Sequence, residues 1–145
     1  MRYESKEVAF DVPRDWEDKT VVAFAAPAGE GVAPNVVLTR DVLRDDETLR
    51  AYVDRQLVEL AKRLDAFDLH ARRELHLGGH AALELAFGWQ GQMAPLEQRL
   101  VMVANKKREV LSFTTTTAKA DVAKNDPVFD RLLLSVRFSD VDPPR

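Results

Sequence analysis

The sequence of 145 residues contains no cysteine. This absence excludes disulfide bonds, a thiolate nucleophile, thiolate metal sites and a lipid-modified N-terminal cysteine. The longest apolar run extends only from Val21 to Ala28, which is less than half of the roughly 20 residues that a membrane-spanning helix requires. The first residues, MRYESKEVAFDVP, contain no apolar core of a secretory signal peptide. We therefore expect a cytoplasmic protein that is not itself inserted in a membrane.

The sequence also lacks a block of basic residues. Its 21 Lys and Arg residues are interspersed with 24 Asp and Glu residues, which gives a formal net charge of −3. Nucleic-acid-binding domains concentrate positive charge in a patch or stripe, so the composition argues against a nucleic-acid partner. The length suits a single domain over residues 1–145 that buries about two-thirds of its unfolded surface.

No catalytic or metal-binding motif emerges from the chain. His70, His76 and His80 lie around one predicted hairpin, but no HExxH spacing or associated carboxylate accompanies them. Gly78-Gly79 is a turn signal without a phosphate-loop motif, no carboxylate pair has a convincing acid–base spacing, and no serine occupies a nucleophile elbow. Threonine is favourable in strands, and the run Thr114–Thr117 places only two hydroxyls on each face. We therefore predict no enzymatic activity, no cofactor and no metal ion.

Hydrophobic periodicity predicts seven strands and two helices. The predicted strands are Glu7–Val12, Thr20–Phe24, Asn35–Arg40, Leu69–Leu77, Ala82–Gln90, Gln98–Val103 and Glu109–Thr117. The predicted helices are Asp46–Asp65, capped by Asp45 and Asp46, and Pro127 to about Arg137, capped by Asn125 or Asp126. Hairpin connections imply antiparallel pairing, so the fold class is α+β, with helices packed on a twisted antiparallel sheet. The tail Ser139–Arg145 is expected to fray.

Gln56 interrupts the apolar stripe of the first predicted helix. The stripe comprises Leu49, Tyr52, Val53, Leu57, Leu60, Ala61 and Leu64. The charged residues Glu47, Asp54, Arg55, Lys62 and Arg63 are predicted to lie mostly elsewhere. At about 100° per residue, Gln56 falls roughly 20° from Leu49 and about 40° from Leu60. A buried amide without a partner costs about 1–3 kcal/mol, so Gln56 should bond either to a group inside the protein, such as a strand carbonyl, or to the polar atoms of a ligand.

Short motifs follow one another in a recognisable order along nearly the whole chain. They are Val12-Pro13 with Trp16-x-Asp18-x-Thr20, Thr39-Arg40-Asp41, Tyr52-Val53-x-Arg55-Gln56-Leu57, Phe67-x-Leu69-His70, Gly79-His80-Ala81-Ala82, Trp89-Gln90, and Val110-Leu111 followed by Thr114–Thr117. This ordered set resembles the DcrB-like family of small bacterial proteins. Within that family it most resembles the effector-associated (Eag) chaperones of type VI secretion.

The resemblance implies a fold like that of the Mog1 and PsbP proteins, and a homodimer with a concave apolar surface. Eag chaperones hold the N-terminal transmembrane helices of PAAR-domain effectors in the cytoplasm before the effector is loaded onto the VgrG spike. The implied function is therefore a cytoplasmic chaperone or adaptor. Its implied partners are the transmembrane segments of a PAAR effector and, through that effector, VgrG.

The resemblance also implies which residues contact the client. Glutamines of Eag chaperones hydrogen-bond to the client helices, and Gln56 matches the glutamine on the helix. The second family glutamine corresponds to Gln98 or, with a one-residue shift, to Arg99. The apolar client-facing positions correspond to Val21, Ala23 and Leu64. Ala23 is small for its position, which implies a shallower pocket there.

Two other classes of function compete with this interpretation. The main alternative is a DcrB-like structural or envelope-associated protein without a client, in which Gln56 bonds within the protein. The absence of a signal peptide and of a lipid-anchor cysteine fits the cytoplasmic branch better than an envelope protein. The third alternative is an enzyme, and no catalytic constellation in the sequence supports it.

Overall fold

The computed structural model describes residues 1–27, 29 and 31–139. These residues form eight strands: β1 (Arg2–Glu4), β2 (Ala9–Asp11), β3 (Val22–Ala25), β4 (Asn35–Val42), β5 (Asp68–Leu77), β6 (His80–Gln90), β7 (Pro95–Ala104) and β8 (Glu109–Ala118). Helix α1 (Leu49–Arg63) follows β4, and helix α2 (Val122–Leu134) follows β8 after a 3-10 turn at Lys119–Asp121.

Six of these strands form one antiparallel sheet. Its strand order is β3-β4-β8-β7-β6-β5, while β1 and β2 form a separate two-stranded hairpin. The strands from β5 to β8 are joined as consecutive hairpins, and β4 pairs with β8 to bring the N-terminal strands into the sheet. Strand β3 lies at one edge, beyond β4. The predicted α+β class with an antiparallel sheet and flanking helices is confirmed.

The two faces of the sheet carry different hydrophobic cores. Side chains alternate along a strand, so Leu83, Leu85 and Phe87 of β6 pack with Tyr52 and Val53 of α1. The intervening residues point to the other face, where Ala82 of β6 belongs to a second core. That core also contains Leu77, Val101, Val103 and Leu133 of α2. Burial of each large apolar side chain contributes about 1.5–3 kcal/mol, and together these contacts hold α1 and α2 on opposite faces.

Helix α1 begins later than the sequence pattern predicts. Its N-cap is Thr48, whose hydroxyl accepts a hydrogen bond of 3.1 Å from the backbone N–H of Ala51. The predicted caps, Asp45 and Asp46, are therefore wrong. Asp46 has a φ of 60°, in the left-handed region, whereas an N-cap residue usually adopts the β region. The two aspartates belong to the turn before the helix.

Helix α2 begins one turn earlier than predicted and ends at Leu134. Proline is disfavoured inside a helix because it lacks an N–H, yet Pro127 lies within α2. Asn125 is not the cap either. It is buried inside the helix, and its Nδ2 donates to Oγ1 of Thr117 across 2.7 Å. This bond fastens α2 to β8, so a tertiary contact decides the role of Asn125.

The N-terminal hairpin was only partly predicted. The predicted strand Glu7–Val12 shortens to β2, and its partner β1 was not predicted. The rings of Tyr3 and Phe10 face each other at 5.0 Å between centroids, a cross-strand contact that stabilises the pair. The remaining predicted strands agree with β3 to β8 within a few residues. Of the tail that was expected to fray, Asp140–Arg145 lies outside the described residues.

Candidate functional site

The first half of α1 is held in place by polar contacts with β4, with the turn that precedes the helix and with the β7–β8 loop. The hydroxyl of Tyr52 donates to Oδ2 of Asp41 on β4 across 2.8 Å. Arg55 donates from Nε and Nη2 to the two carboxylate oxygens of Glu47, at 3.0 and 2.9 Å. From the β7–β8 loop, Arg108 donates to the carbonyl of Glu47 across 2.9 Å. These bonds fix the position of α1, and therefore of the residues that follow on it.

Two titratable groups respond to this arrangement. The hydrogen bonds from Arg55 hold the pKa of the Glu47 carboxyl at about 2, well below its ordinary value, and burial opposes the shift. Burial raises the pKa of Tyr52, and its hydrogen bond to Asp41 raises it further. The phenol is therefore neutral and the carboxylate ionised across the physiological pH range, so both serve as fixed anchors of α1.

The second half of α1 stands over a cavity of ≈ 330 Å³. The cavity is lined by α1 and by the side chains that β4, β6, β7 and β8 present to that helix. The lining residues are Thr39, Tyr52, Gln56, Leu60, Arg63, Leu64, Phe87, Trp89, Gln98, Leu100, Met102, Ser112 and Thr114. Aliphatic and aromatic groups thus alternate with amides and hydroxyls, a lining that suits an apolar occupant with a few polar atoms. We call this site the α1 cavity.

The α1 cavity brings Gln56 and Gln98 together, but their side chains differ in bonding. Oε1 of Gln98 accepts from the indole nitrogen of Trp89 across 2.7 Å, and Nε2 donates to Oγ1 of Thr116 across 2.8 Å. The side chain of Gln56 forms no hydrogen bond with any residue that the structure describes. The strand carbonyl considered as an internal partner of Gln56 is therefore not found within the described residues.

Arg99, the alternative to Gln98, lies on the opposite face of the sheet. Its guanidinium donates to Oε2 of Glu84 across 3.1 Å and to Oδ1 of Asp130 on α2 across 2.6 Å. Arg73 approaches the same Glu84 carboxylate at 3.4 Å, and the Glu84 side chain is only 3% exposed. Arg99 therefore neutralises a buried charge beneath α2, and of the two neighbours only Gln98 reaches the α1 cavity.

Leu64 lines the α1 cavity, whereas Val21 and Ala23 do not. Leu64 terminates α1 and is half-buried against the core beneath that helix. Ala23 of β3 pairs with Val37, and Val37 pairs with Thr114, so Ala23 lies on the same sheet face as the cavity but two strands beyond β8. Val21 precedes β3 and is 60% exposed. Leu64 and Ala23 thus lie on the same side of the sheet, separated by β4, whereas Val21 lies before β3 and outside the sheet.

One residue of the α1 cavity was misplaced by the sequence pattern. Arg63 was expected to lie away from the apolar stripe, but it lines the cavity with Gln56. The two residues are seven positions apart, a spacing that returns a helix to nearly the same face, so the spacing itself could have indicated it. Trp89 is part of the Trp89-Gln90 motif, but the sequence does not predict that its indole N–H donates to Gln98.

The three histidines have separate environments. His70 Nε2 lies 2.8 Å from a carboxylate oxygen of Glu97, and the buried ring of His80 packs on Phe138 at 4.8 Å. His76 is exposed on β5. Within residues 1–139, as far as they are described, no group of three or more His, Cys, Asp or Glu side chains is placed to hold a metal ion. The same part of the chain has no helix with the length and apolarity needed to cross a membrane.

Comparison with known sequences decides the family. Residues 7–135 match the sequence profile of the DcrB family. The chain belongs to the DcrB family. It is also 32% identical over 132 residues to a Pseudomonas aeruginosa protein named Effector EagT6. The aligned region covers 90% of this chain and 91% of that protein. The DcrB and Eag resemblance predicted from the ordered motifs is therefore confirmed.

Solved structures place this DcrB-family chain in a wider fold group. A Pseudomonas aeruginosa protein of unknown function, PA94, superposes with a TM-score of 0.83 at 29% identity, covering 97% of this chain and 98% of its own. Cyanobacterial PsbP from Synechocystis sp. PCC 6803 superposes with a TM-score of 0.52 at 14% identity, covering 90% of this chain and 86% of its own. LpqN of Mycobacterium tuberculosis superposes with a TM-score of 0.54 at 13% identity, covering 80% of this chain and 82% of its own. The last two show the fold alone, and they confirm the Mog1/PsbP-like architecture.

Proposed function

We propose that this protein is a cytoplasmic chaperone that binds and shields the N-terminal transmembrane helices of a type VI secretion PAAR effector and supports its loading onto the VgrG spike. The observation that carries the proposal is Gln56, an amide without a partner among the described residues, in a cavity lined by both apolar and polar side chains. Membership of the DcrB family and the similarity to EagT6 support the same conclusion.

The client would need such a surface for a simple physical reason. A transmembrane segment presents about 20 mostly apolar residues, and hiding each large side chain from water is worth roughly 1.5–3 kcal/mol. Left bare in the cytoplasm, the segment would aggregate or insert into a membrane. Leu64 and Leu100 of the α1 cavity, with Ala23 farther along the same sheet face and the exposed Val21 just before β3, offer aliphatic contacts in place of lipid.

Gln56 adds a polar contact that lipid cannot provide. In the free protein, water can serve its amide. Once an apolar client helix covers the cavity, inserts side chains into it and expels that water, the amide would bond to a backbone or side-chain group of the client. Removing one partner of a buried hydrogen bond costs about 1–3 kcal/mol, so the amide would favour client helices with an accessible polar group opposite it.

The proposal includes a homodimer, as the Eag resemblance implies. Edge strands with exposed apolar side chains tend to associate with other chains unless they are covered. Strand β3 has this character, because Phe24 is 70% and Val22 39% exposed on the face opposite to Ala23. A second copy seated at this edge would extend the client-facing surface. Light scattering of the purified protein tests this part of the proposal.

The central experiment is co-expression with a PAAR effector encoded by a neighbouring gene. The wild-type protein should keep the effector's N-terminal apolar segment soluble and co-purify with it. Val21→Asp should abolish co-purification by placing a charge on the client-facing surface. Val128→Asp is the matched control, because Val128 is also exposed, at 48%, but lies on α2. Equal retention of the client by both folded variants would contradict the proposed surface.

A further inference from the structure

We propose that Arg63 selects the client, by requiring a carboxylate or another strong acceptor about two helical turns from the client residue that faces Gln56. The inference rests on the proposed chaperone function and deepens it, because it assigns a charge requirement to the client helix. Arg63 would act as a specificity-determining residue in addition to the apolar surface and the glutamines.

A positive charge without an ion-pair partner lies at the solvent-exposed edge of the cavity, because Arg63 is exposed. Arg63 is the one charged side chain among the described residues that line the α1 cavity. It forms no hydrogen bond and no ion pair with another described residue. By contrast, Arg55 on the same helix is bound to Glu47, and Lys62 lies 4.0 Å from Glu59. Arg63 is thus available to an occupant of the cavity, as Gln56 is.

The spacing of the two polar groups sets a distance on the client. Gln56 and Arg63 both face the cavity, and an α-helix rises 1.5 Å per residue, so they are separated by about 10 Å along the axis. Leu60 lies between them and Leu64 follows, which keeps the intervening surface apolar. A client helix that packs along α1 has the same rise, so the group that meets Arg63 should lie seven residues from the group that meets Gln56.

The charge of Arg63 would favour client helices with an acidic residue opposite it and disfavour those with a basic residue there. A carboxylate can accept two parallel hydrogen bonds from a guanidinium, and the contact strengthens as the client excludes water. A client lysine or arginine at the same position would face a like charge, while an aliphatic residue would leave the guanidinium to reach water along its flexible stem. Selection by attraction together with repulsion is a common basis of specificity, and here it would exclude transmembrane segments with a basic residue at this position.

The test uses labelled model helices and purified full-length protein. Each peptide is an apolar Leu/Ala helix with a central Ser, and carries Asp, Asn or Lys seven residues from that Ser, on the N-terminal or the C-terminal side. Of the two Asp peptides, the one that binds more tightly should have a Kd about tenfold lower than the Lys peptide with the same spacing and direction. Arg63→Glu should reverse the preference, and Arg63→Met should abolish it without reversal.

Lys62→Glu is the control, because it makes the same charge change on the neighbouring position of α1 and should keep the wild-type preference. Circular dichroism of each variant establishes that α1 is intact. A wild-type preference that survives Arg63→Glu overturns the inference, as does equal binding of the Asp and Lys peptides by the wild-type protein. In both cases, binding of the Asn peptide would leave the chaperone function standing. Failure to bind any of the peptides would count against both proposals.

Discussion

The indole N–H of Trp89 donates a hydrogen bond to Oε1 of Gln98 across 2.7 Å. Because the amide nitrogen of Gln98 in turn donates to Thr116, one side chain links β6, β7 and β8 across the floor of the α1 cavity. Gln56 faces the same cavity from α1 without a partner among the described residues. The two glutamines that the family resemblance treats alike therefore differ in the free protein.

Gln98→Ala should destabilise the fold. The substitution removes both bonds and leaves the Trp89 N–H without its acceptor in a partly buried place. Loss of such partners costs about 1–3 kcal/mol, which chemical denaturation of the purified variant would measure. Gln92→Ala, at an exposed position between β6 and β7, serves as the control and should change the free energy of unfolding by less than about 0.5 kcal/mol. Equal stability of both variants would contradict the structural role of Gln98.

Gln56→Ala should have the opposite profile. Since no described residue bonds to this amide, its loss should leave the melting temperature nearly unchanged. Client binding should weaken by up to about tenfold for each 1.4 kcal/mol of lost hydrogen bonding. Thermal melting and co-purification of the effector measure the two effects on the same sample. A strongly destabilised Gln56→Ala protein that still retains its client would overturn the role assigned to this residue.

Arg99→Met should be among the most destabilising substitutions in the sheet. It removes the closest cation from the buried Glu84 and also breaks the bond to Asp130 on α2. Removing one partner of a buried ion pair lowers the free energy of unfolding by about 3–5 kcal/mol. Because Arg73 still lies near the Glu84 carboxylate, we expect a loss near the lower value. Urea denaturation should show a much smaller loss for Arg73→Met, because the Arg73 side chain is largely exposed.

The Glu47–Arg55 pair should make stability depend on pH in acid. The pKa of Glu47 is lowered in the folded protein to about 2, from an ordinary value of 4.5. Its stabilising contribution is therefore complete above pH 4.5 and lost as the pH falls towards 2. Glu47→Gln should lower the free energy of unfolding by about 1 kcal/mol at neutral pH. The difference from the wild type should vanish near the lower pKa, and a constant difference would exclude the ion pair as its cause.

The part of the candidate site that a single helix determines could be predicted from the sequence. The helical period alone placed Gln56 beside Leu60, and the structure shows both in the α1 cavity. The same period places Arg63 seven residues after Gln56 on this side of α1, where the residue is exposed and also contributes to the cavity lining. What the sequence pattern could not show is which side of the stripe packs closely on the sheet and which side stands over a cavity.

The polar contacts between elements were much harder to predict. Asn125 has the residue type of an N-cap, but its bond to Thr117 of β8 draws it into the helix interior. Glu84 lies within the predicted strand Ala82–Gln90, yet its burial depends on Arg99 of β7 and Arg73 of β5. Such contacts join residues on different elements, and no local pattern of residue types records them.

The pairing of β4 with β8 has a consequence for the order of folding. Val42 pairs with Glu109, and α1 with three strands of the sheet lies between them in the chain. During synthesis β4 therefore cannot pair with β8 until β8 has left the ribosome. Strands β5 to β8, by contrast, can pair one after another as successive hairpins. Closing so long a loop is the slower step, so pulse-labelling hydrogen exchange during refolding should protect β6 and β7 before β4. The wall of the α1 cavity formed by β4 would then be the last to close, and protection of β4 first would refute this order.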